Sequence, residues 1–597
     1  MPPSKPLPFS DEFSSPDEYI SELLRFTQTS NLFQIMCGGV HILDFFTSKP
    51  GLYYSALPEE WHDFLLAQDI MRVLDLFVRE DLETVTMNGG KPPESLLEYI
   101  RNIRRLSLRR EYHSNDSSLP PLTPGVAVGM KVKKVHEVKN FADYVNRLSS
   151  DISEKTGESV SHFVDFGSGQ NYLGRALASE PYNKHVVAVE GREYNVSAAK
   201  KFDATSGLGV KPTLLRNKKV WNKIVEVCGK DKRDDPEAVA AAIRQVVGYE
   251  EAENYRKIEG SEIKYTAAKE GQGYVQYVSG RLEDGDLSEI IGKIDRGEAT
   301  EDEKQRALHL MAVSIHSCGN LSHFGIRSLL LNPDIRSVAI VGCCYNLLTE
   351  KLGPPTWKHT FLRPTLQAVN GRAQRESSKF DPQGFPMSER FCKYDDDGVR
   401  LNITARMMAC QAPQNWSESD SHLFFTRHFY RAILQKIFLE RGVTKQVLHA
   451  TGGDATEEDG PFEKSTNPVT IGTLRKGCYT SFRTYVRGVI EKLTTSKDYK
   501  QHAEVMKEKM ADMTDEEIDA YEARYIHRKN ELSVVWSLMA FSATVVESLI
   551  VSDRWTFLKE HSDLVSDAWV ETVFDYELSP RNLVVVGLKK PGVQVNE

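Results

Sequence analysis

The pattern that most constrains the fold is a series of short apolar runs that alternate with helical segments between residues 162 and 343. The runs HFVDF, HVVAVE, YVQYVSG, LMAVSIH and SVAIVGC have the composition of buried strands. The segments 172–180 and 194–202, which follow the first two runs, have helical patterns. Because parallel strands are joined by crossover helices, this alternation predicts a parallel sheet with helices on both faces.

The chain ends with a different pattern. A long apolar segment near 532–552 is followed by two β-rich runs that flank ELSPRN, a turn signal, so this piece reads as a hairpin. A parallel sheet that closes with an antiparallel hairpin is the Rossmann-like α/β layout of class I S-adenosylmethionine methyltransferases. Because 532–552 contains Glu547 and several hydroxyl residues, it predicts a buried helix and no membrane span.

The same patterns divide the chain into five segments. They are a disordered N-terminus (1–16), a helical region with a linker (17–125), the first half of the core with an insertion at 204–270 (126–345), an inserted substrate region (346–530), and the closing helix and hairpin (531–597).

Charge and cysteine content exclude some classes of protein. A formal charge of −9 argues against a purely electrostatic nucleic-acid binder. Eight cysteines in 597 residues do not make a disulfide scaffold, and the N-terminus has no apolar signal core. These features favour reduced thiols and a cytoplasmic or nuclear protein.

The stretch FVDFGSGQNYLG carries the candidate cofactor turn, with Asp165 followed by Gly167 and Gly169 in G-x-G spacing. Asn171 occupies the third turn position, where asparagine tolerates the left-handed conformation, and Gly174 comes too late for G-x-G-x-x-G. An acid directly before the glycines would repel a pyrophosphate. It suits S-adenosylmethionine, which carries an ammonium and a sulfonium, better than a nicotinamide cofactor.

Further cofactor candidates follow at two strand ends. Glu190 ends the second run, where an acid pairs with ribose hydroxyls. Arg281 and Leu282 follow the third run and would border the adenine, although a surface charge with one core leucine explains them equally well. A structural α/β domain whose glycines serve only to reverse the chain is the alternative.

The fourth run ends in SIHSCGNLSH, where the fold places groups that face the transferred methyl. His316 is the candidate base, Cys318 a candidate nucleophile and Asn320 a group that orients substrate, each with a packed strand end as the alternative. With Cys343 and Cys344 these residues suggest zinc. However, adjacent ligands are awkward for one tetrahedral ion and C-x-x-C is missing, so we expect no metal.

The sequence constrains the methyl acceptor less than it constrains the cofactor. RNA would need a basic surface, for which the sequence offers Arg101, Arg105 and Arg109 on one helix face, joined to Lys131, Lys133 and Lys134 near the cofactor mouth. A solvated face explains the arginines equally well. No D/N-P-P-[YFW] follows the fourth run, which disfavours adenine N6 methylation. A protein substrate and a non-catalytic scaffold are the alternatives.

Several motifs together resemble the methyltransferase-like protein twenty-five family, which includes proteins labelled as ribosomal RNA adenine dimethylase domain-containing. They are FVDFGSGQNYLGRALA, GMKVKKVHEV, SIHSCGNLSHFGIRSLL, VGCCYNLLTE, GFPMSE, ARMMACQAP, ESLIVSDRWTFL and FDYELSPRNLVVVGLKK. The resemblance implies a class I-like, S-adenosylmethionine-dependent enzyme. It maps the cofactor motif onto Asp165, Gly167, Gly169 and Glu190, H-x-C-G onto His316, Cys318 and Gly319, and C-C-Y onto Cys343, Cys344 and Tyr345.

This chain departs from the family at two positions. The family usually has glycine at the position of Asn171 and aspartate at the position of Asn320. An amide cannot serve as a base, so a mechanism that needs a carboxylate at 320 is weakened. The H-x-C-G and C-C pattern is also similar to tRNA ribose methyltransferases that carry a CHHC zinc finger, which makes RNA the favoured substrate.

Overall fold

The structure is a computed structural model that describes most of the chain. The described residues are 2–39, 42–47, 49–112, 119–210, 218–229, 235–249, 263–265, 271–295, 308–352, 380–448, 453–456, 458–460, 462–466, 468–469 and 471–592. The linker at 113–125, the insertion at 204–270 and the region 346–530 therefore lie partly outside the described residues.

Seven strands form one sheet among these residues. They are β1 His162–Phe166, β2 His185–Glu190, β3 Tyr274–Ser279, β4 Leu310–Cys318, β5 Ile335–Cys343, β6 Val565–Thr572 and β7 Leu583–Lys589. Their order is β3–β2–β1–β4–β5–β7–β6. β1 pairs in parallel with β2 and β4, and β2 with β3, whereas β7 is antiparallel to both β5 and β6. The predicted Rossmann-like α/β sheet with a terminal antiparallel hairpin is confirmed.

Helices make up most of the remaining regular structure. The α-helices are Pro16–Thr29, Asn31–Gln34, Leu52–Ala56, Glu59–Leu66, Ile70–Val78, Glu94–Leu106, Val132–Thr156, Tyr172–Ala178, Glu193–Ser206, Lys218–Cys228, Pro236–Val247, Ser288–Ile291, Leu321–Leu331, Glu389–Cys392, Ile403–Met408, Glu418–Glu440, Phe482–Thr495, Lys500–Met510, Asp515–Tyr525 and Lys529–Glu560. The helices expected at 172–180 and 194–202 are thus present, with slightly different ends.

The chain comprises two compact units, whose boundaries differ from the five segments of the sequence. Unit 1 is Met1–Ser114, Leu282–Leu287 and Ser314–Glu597, and unit 2 is Asn115–Arg281 and Ser288–Val313. β4 contributes its first four residues to unit 2 and its last five to unit 1. The cofactor turn therefore belongs to unit 2, and the H-x-C-G segment belongs to unit 1.

The core of unit 1 is built around the helix Lys529–Glu560, which is buried along nearly its whole length. Phe541 stacks on Phe77 with a centroid separation of 4.6 Å, and Trp536 stacks on His428 at 4.0 Å. The helical stretch Asp515–Glu560 is long and apolar enough to cross a membrane, but 94% of its most apolar window is buried inside the protein. Its apolar side chains are thus used for core packing, as the sequence predicted for 532–552.

Glu547, a buried acid in the middle of this helix, is paired with three side chains. Glu547 accepts a hydrogen bond from Tyr345 Oη at 2.7 Å and forms ion pairs with Arg110 at 2.6 Å and Arg581 at 2.7 Å. A buried charge is tolerated when it is paired and hydrogen-bonded. Glu547 therefore joins residues from distant parts of unit 1 in the middle of its core.

The disorder expected for residues 1–16 is wrong for the described part, 2–16. Leu7 is fully buried, and Phe9 stacks on Tyr19 with a centroid separation of 5.4 Å. The carbonyl oxygen of Pro8 accepts a hydrogen bond from the Arg109 N–H at 2.7 Å. The three apolar side chains at Leu7, Phe9 and Phe13 gain enough burial to order a segment whose prolines and serines suggested disorder.

In unit 2 the long helix Val132–Thr156 precedes β1 and ends at Gly157, whose φ of 74° is the usual left-handed end of a helix. The described part of the 204–270 insertion contains the helices Lys218–Cys228 and Pro236–Val247, which pack through Ile224 and Ile243. It also contains a two-residue antiparallel pair, Gly209–Val210 with Lys264–Tyr265. The assignment of this insertion and of 346–530 to substrate surfaces stays a prediction.

Candidate functional site

The turn after β1 has the backbone conformation that its glycines predicted. Gly167 and Gly169 have φ angles of 68° and 57°, values that residues with a Cβ rarely adopt. The N–H of Gly167 donates to the Val189 carbonyl oxygen at 2.9 Å, which ties the turn to β2. The chain therefore reverses tightly at the carboxyl end of β1, as a turn that approaches a ligand closely must.

Glu190 is the last residue of β2, and its carboxylate organises this turn. Its Oε2 accepts a hydrogen bond from the Gly169 N–H at 2.9 Å, and its Oε1 accepts one from the Arg192 N–H at 2.8 Å. Each carboxylate oxygen has a second lone pair, so both can still accept a hydrogen bond from a ligand hydroxyl. Glu190 thus both shapes the turn and presents acceptors there.

Asp165 lies one residue before the end of β1, paired in register with Ala188 of β2 and Val313 of β4. Burial, and then the charge of Glu190, raise the pKa of Asp165 to about 8, while Lys134 acts in the opposite direction. Within the described residues, no hydrogen bond offsets this burial. The site thus holds a buried carboxyl group that a cation would stabilise in its charged form.

Asn171 adopts the predicted left-handed conformation, with φ 53° and ψ 42°, at the start of the helix Tyr172–Ala178. Its side chain is fully buried, and Nδ2 donates to the Tyr277 hydroxyl at 2.9 Å. A Cβ on Gly174 would collide with Oδ1 of Asn171 and meet Val186 Cγ1 at 3.0 Å. Gly174 therefore allows the helix to pack closely on β2, the role of the third glycine in dinucleotide-binding turns.

A buried polar network behind the turn was not predicted from the sequence. Asp203 accepts hydrogen bonds from Arg175 Nε at 3.1 Å and from the Tyr277 hydroxyl at 2.5 Å. Arg175 also donates to the Gln170 carbonyl oxygen at 3.0 Å, so the network reaches the turn itself. Arg175 in the short helical run YLGRALA was the available signal, since a charge among small apolar residues needs a buried partner.

The two residues expected to border an adenine differ in their surroundings. Arg281 is exposed, and its side chain covers Gly191, where an added Cβ would meet Arg281 Cγ at 2.9 Å. Leu282 is 8% exposed and contributes to a core. Arg281 therefore lies beside the residue that follows Glu190, whereas Leu282 matches the alternative of a core leucine. Their role in cofactor binding stays a prediction.

In unit 1 the ends of β4 and β5 bring three thiols together. The Sγ atom of Cys318 lies 3.3 Å from that of Cys343 and 3.4 Å from that of Cys344, and the last two are 3.6 Å apart. Adjacent cysteines are awkward ligands for one ion, but the left-handed backbone of Cys344 (φ 45°, ψ 54°) lets both sulfurs lie beside that of Cys318. His316 is exposed two residues before Cys318 on the same strand.

Both the NH2 group and the oxygen of the Asn320 side chain form hydrogen bonds. Its Nδ2 donates to Thr349 Oγ1 at 2.6 Å and to Asp381 Oδ2 at 3.0 Å, and its Oδ1 accepts from the Thr349 N–H at 3.0 Å. Asp381 thus supplies a carboxylate beside the position where the resembling family usually has aspartate. Sequence reasoning missed Asp381 because it is 61 residues away along the chain.

The arginines of the predicted phosphate-binding face are all paired with carboxylates. The pairs are Arg101 with Glu83 (2.7 Å) and Glu94 (2.9 Å), Arg105 with Glu22 (2.8 Å), and Arg109 with Asp11 (2.7 Å). Lys133 and Lys134 likewise pair with Glu137. These contacts agree with the alternative of a solvated, charge-paired face, and RNA binding stays a prediction.

Comparison with known proteins agrees with this fold. Residues 133–351 match a family model described as "Methyltransferase domain". The chain is 29% identical over 286 residues to the Homo sapiens protein named "Probable methyltransferase-like protein 25" and 27% identical to its Mus musculus counterpart. The matched region covers 47% of this chain and 37% of each relative, so it spans little more than a third of their length.

No solved structure matches the chain. The resemblance found from the motifs is confirmed by the family model and by both relatives. The sheet order, with β7 antiparallel between β5 and β6, is the arrangement that the predicted class of fold requires. Residues 133–351 are thus similar to a methyltransferase domain, and the chain is similar over 286 residues to methyltransferase-like protein 25.

Proposed function

We propose that the protein is an S-adenosylmethionine-dependent methyltransferase whose cofactor is held by the turn of unit 2. The observation that carries the proposal is Asp165, a buried carboxyl group without a hydrogen bond among the described residues. Burying an acid in this way is costly unless a partner stabilises its charged form. The ammonium of the cofactor is a partner of the required charge.

The other residues of the turn fit the rest of the cofactor. Gly167 and Gly169 carry no side chain that would block the backbone of the turn from a ligand. Glu190 keeps free lone pairs on both oxygens for ribose hydroxyls. A nicotinamide cofactor is disfavoured because its pyrophosphate would face the carboxyl group of Asp165.

S-adenosylmethionine supplies, when bound, a methyl group on a sulfonium that an acceptor can attack. The residues of the chain then act mainly by positioning. Asp165 fixes the amino-acid end of the cofactor, and Glu190 fixes the ribose. His316 is the proposed proton acceptor, because it is exposed and an imidazole exchanges protons near neutral pH. Asn320, whose amide is fully bonded, is a positioning residue.

RNA is the first acceptor class to test, since the H-x-C-G and C-C motifs are similar to those of tRNA ribose methyltransferases, and protein is the second. The paired arginines remove part of the electrostatic argument for RNA. We also propose a cytoplasmic or nuclear location, which the eight reduced cysteines support.

Calorimetric titration with S-adenosylmethionine and S-adenosylhomocysteine tests the cofactor assignment. We expect a Kd in the micromolar range, which corresponds to a binding free energy of about −8 kcal/mol. Binding should be lost in Asp165→Ala and Glu190→Ala. A tritiated-methyl assay of RNA and protein fractions then identifies the acceptor class. No heat and no thermal shift with either ligand in the unmodified protein would overturn the proposal and support the non-catalytic scaffold.

A further inference from the structure

Three cysteine side chains converge at one point of unit 1, outside the cofactor turn. The Sγ atoms of Cys318, Cys343 and Cys344 are separated by 3.3, 3.4 and 3.6 Å. A zinc ion with Zn–S bonds of about 2.3 Å in tetrahedral geometry places its sulfurs about 3.8 Å apart. The three sulfurs would therefore have to move only a few tenths of an ångström to bind one ion.

The backbone at Cys344 has an unusual conformation. Successive residues of a strand point to opposite faces, so Cys343 and Cys344 would normally diverge. The left-handed conformation of Cys344 (φ 45°, ψ 54°) turns its side chain back toward Cys343. A residue with a Cβ pays about 1–3 kcal/mol for such a conformation, which is typically retained at functional sites.

Gly319 closes the other side of the cluster. Its N–H donates to the Cys343 carbonyl oxygen at 3.4 Å, which joins the end of β4 to the end of β5. Its φ is 57°, and an added Cβ would lie within 3 Å of the Leu347 carbonyl carbon and oxygen. A side chain at position 319 would therefore collide with Leu347 directly beside Cys318.

The cluster is partly open to solvent. Cys343 is buried, whereas Cys318 and Cys344 are partly exposed, so an ion has a route from solvent. A disulfide would use only two of the three sulfurs and would leave the third thiol without a role.

We propose that Cys318, Cys343 and Cys344 bind one zinc ion through three thiolates. Borderline-soft Zn²⁺ binds cysteine sulfur well and accepts tetrahedral coordination. Among the described residues, no other His, Cys, Asp or Glu has a ligand atom within 4.8 Å of all three sulfurs. The described residues thus supply three ligands to the ion. This inference is independent of the proposed cofactor.

Metal analysis of the full chain, purified without chelators, tests the site. We expect one zinc per chain in the unmodified protein. The zinc content should fall at least tenfold in Cys318→Ser and in Cys344→Ser. Cys228→Ser and Cys478→Ser, which change cysteines outside the cluster, are the matched controls and should keep their zinc. Asp165→Asn should keep it as well, so that failure of the cofactor proposal and failure of the metal proposal are distinguishable.

A second measurement does not depend on the folding of any variant. After chelation, the unmodified protein is titrated with Co²⁺ alone. Three thiolates predict an intense sulfur-to-cobalt charge-transfer band and the visible d–d bands of a tetrahedral site. Absence of both zinc and these bands would overturn the proposal, as would a disulfide within the cluster in freshly purified protein.

Discussion

The N–H of Gly169 donates a hydrogen bond of 2.9 Å to Oε2 of Glu190, which joins two residues that are 21 positions apart. The carboxylate that is proposed to bind the ribose therefore also holds the glycine turn in place. Its other oxygen accepts from the Arg192 N–H at 2.8 Å, so both oxygens face backbone donors. This double role makes Glu190 sensitive to an otherwise conservative change.

Glu190→Gln should disrupt the turn. One oxygen becomes an NH2 group that faces an N–H donor, which leaves a donor unsatisfied and costs about 1–3 kcal/mol. We expect a lower urea midpoint and at least tenfold weaker binding of S-adenosylhomocysteine in calorimetry. Glu193→Gln, which changes an exposed acid of the next helix, is the control and should leave both values unchanged. A Glu190→Gln protein with normal stability and affinity would contradict this role.

Asp165→Asn should stabilise the protein without ligand while it weakens cofactor binding. The amide removes a carboxyl group whose ionised form is disfavoured by burial. Each kcal/mol gained corresponds to a Tm increase of about 2–4 °C for a unit of 150–250 residues. Loss of the ionic contact with the ammonium should raise the Kd of the cofactor by about ten- to a hundredfold. Differential scanning fluorimetry and calorimetry test the two effects, and a lower Tm would count against them.

The pKa of about 8 for Asp165 gives both stability and binding a pH dependence. Because this value lies above the reference of 3.8, the folded protein holds a proton that the unfolded chain releases between these pH values. The free energy of unfolding should therefore fall as pH rises toward 8, more in the unmodified protein than in Asp165→Asn. Cofactor binding needs the ionised carboxylate.

Affinity should consequently rise about tenfold per pH unit from pH 6 to 7 and level off above 8, with proton release on binding. Titrations at pH 6, 7 and 8 in two buffers of different ionisation enthalpy measure both quantities. A Kd that does not change over this range would show that Asp165 is already ionised or does not contact the ligand.

Gly174→Ala tests the close packing behind the turn. The new methyl group would collide with Asn171 Oδ1 and crowd Val186, at a cost of about 1–3 kcal/mol. Gly477→Ala is the matched control, because nothing lies within 4 Å of a Cβ at that position. Asn171→Gly in the same chain opens the space, so the double variant should lose less stability than the two single changes added together. Urea midpoints compare the four proteins.

Asn320→Asp restores the residue usual in the resembling family, and we expect it to be destabilising here. The new carboxylate would lie against Asp381 Oδ2, which is 3.0 Å from Asn320 Nδ2. Two like charges at this distance, together with the loss of both hydrogen bonds that Asn320 Nδ2 donates, cost about 2–4 kcal/mol. Asp381→Asn in the same chain should restore the Tm, and lowering the pH to 4 should partly do so. An unchanged Tm in the single variant would contradict the contact.

The sequence by itself determined the fold class of this protein, because periodicity records which face of each element is buried. β2 was identified at its observed bounds as HVVAVE, and the hairpin around ELSPRN was found from its turn residues. The left-handed conformation at Asn171 also followed from residue type, since few side chains tolerate it. Local preference sufficed in each of these cases.

Only the tertiary structure decided which distant groups meet. The bond from Asn320 to Asp381 spans 61 residues and the one from Tyr277 to Asp203 spans 74, and no local pattern encodes either. The order of residues 2–16 likewise depends on contacts with distant segments. The left-handed conformation of Cys344, which brings its sulfur to 3.6 Å from that of Cys343, could not be predicted either, because cysteine has no local preference for it.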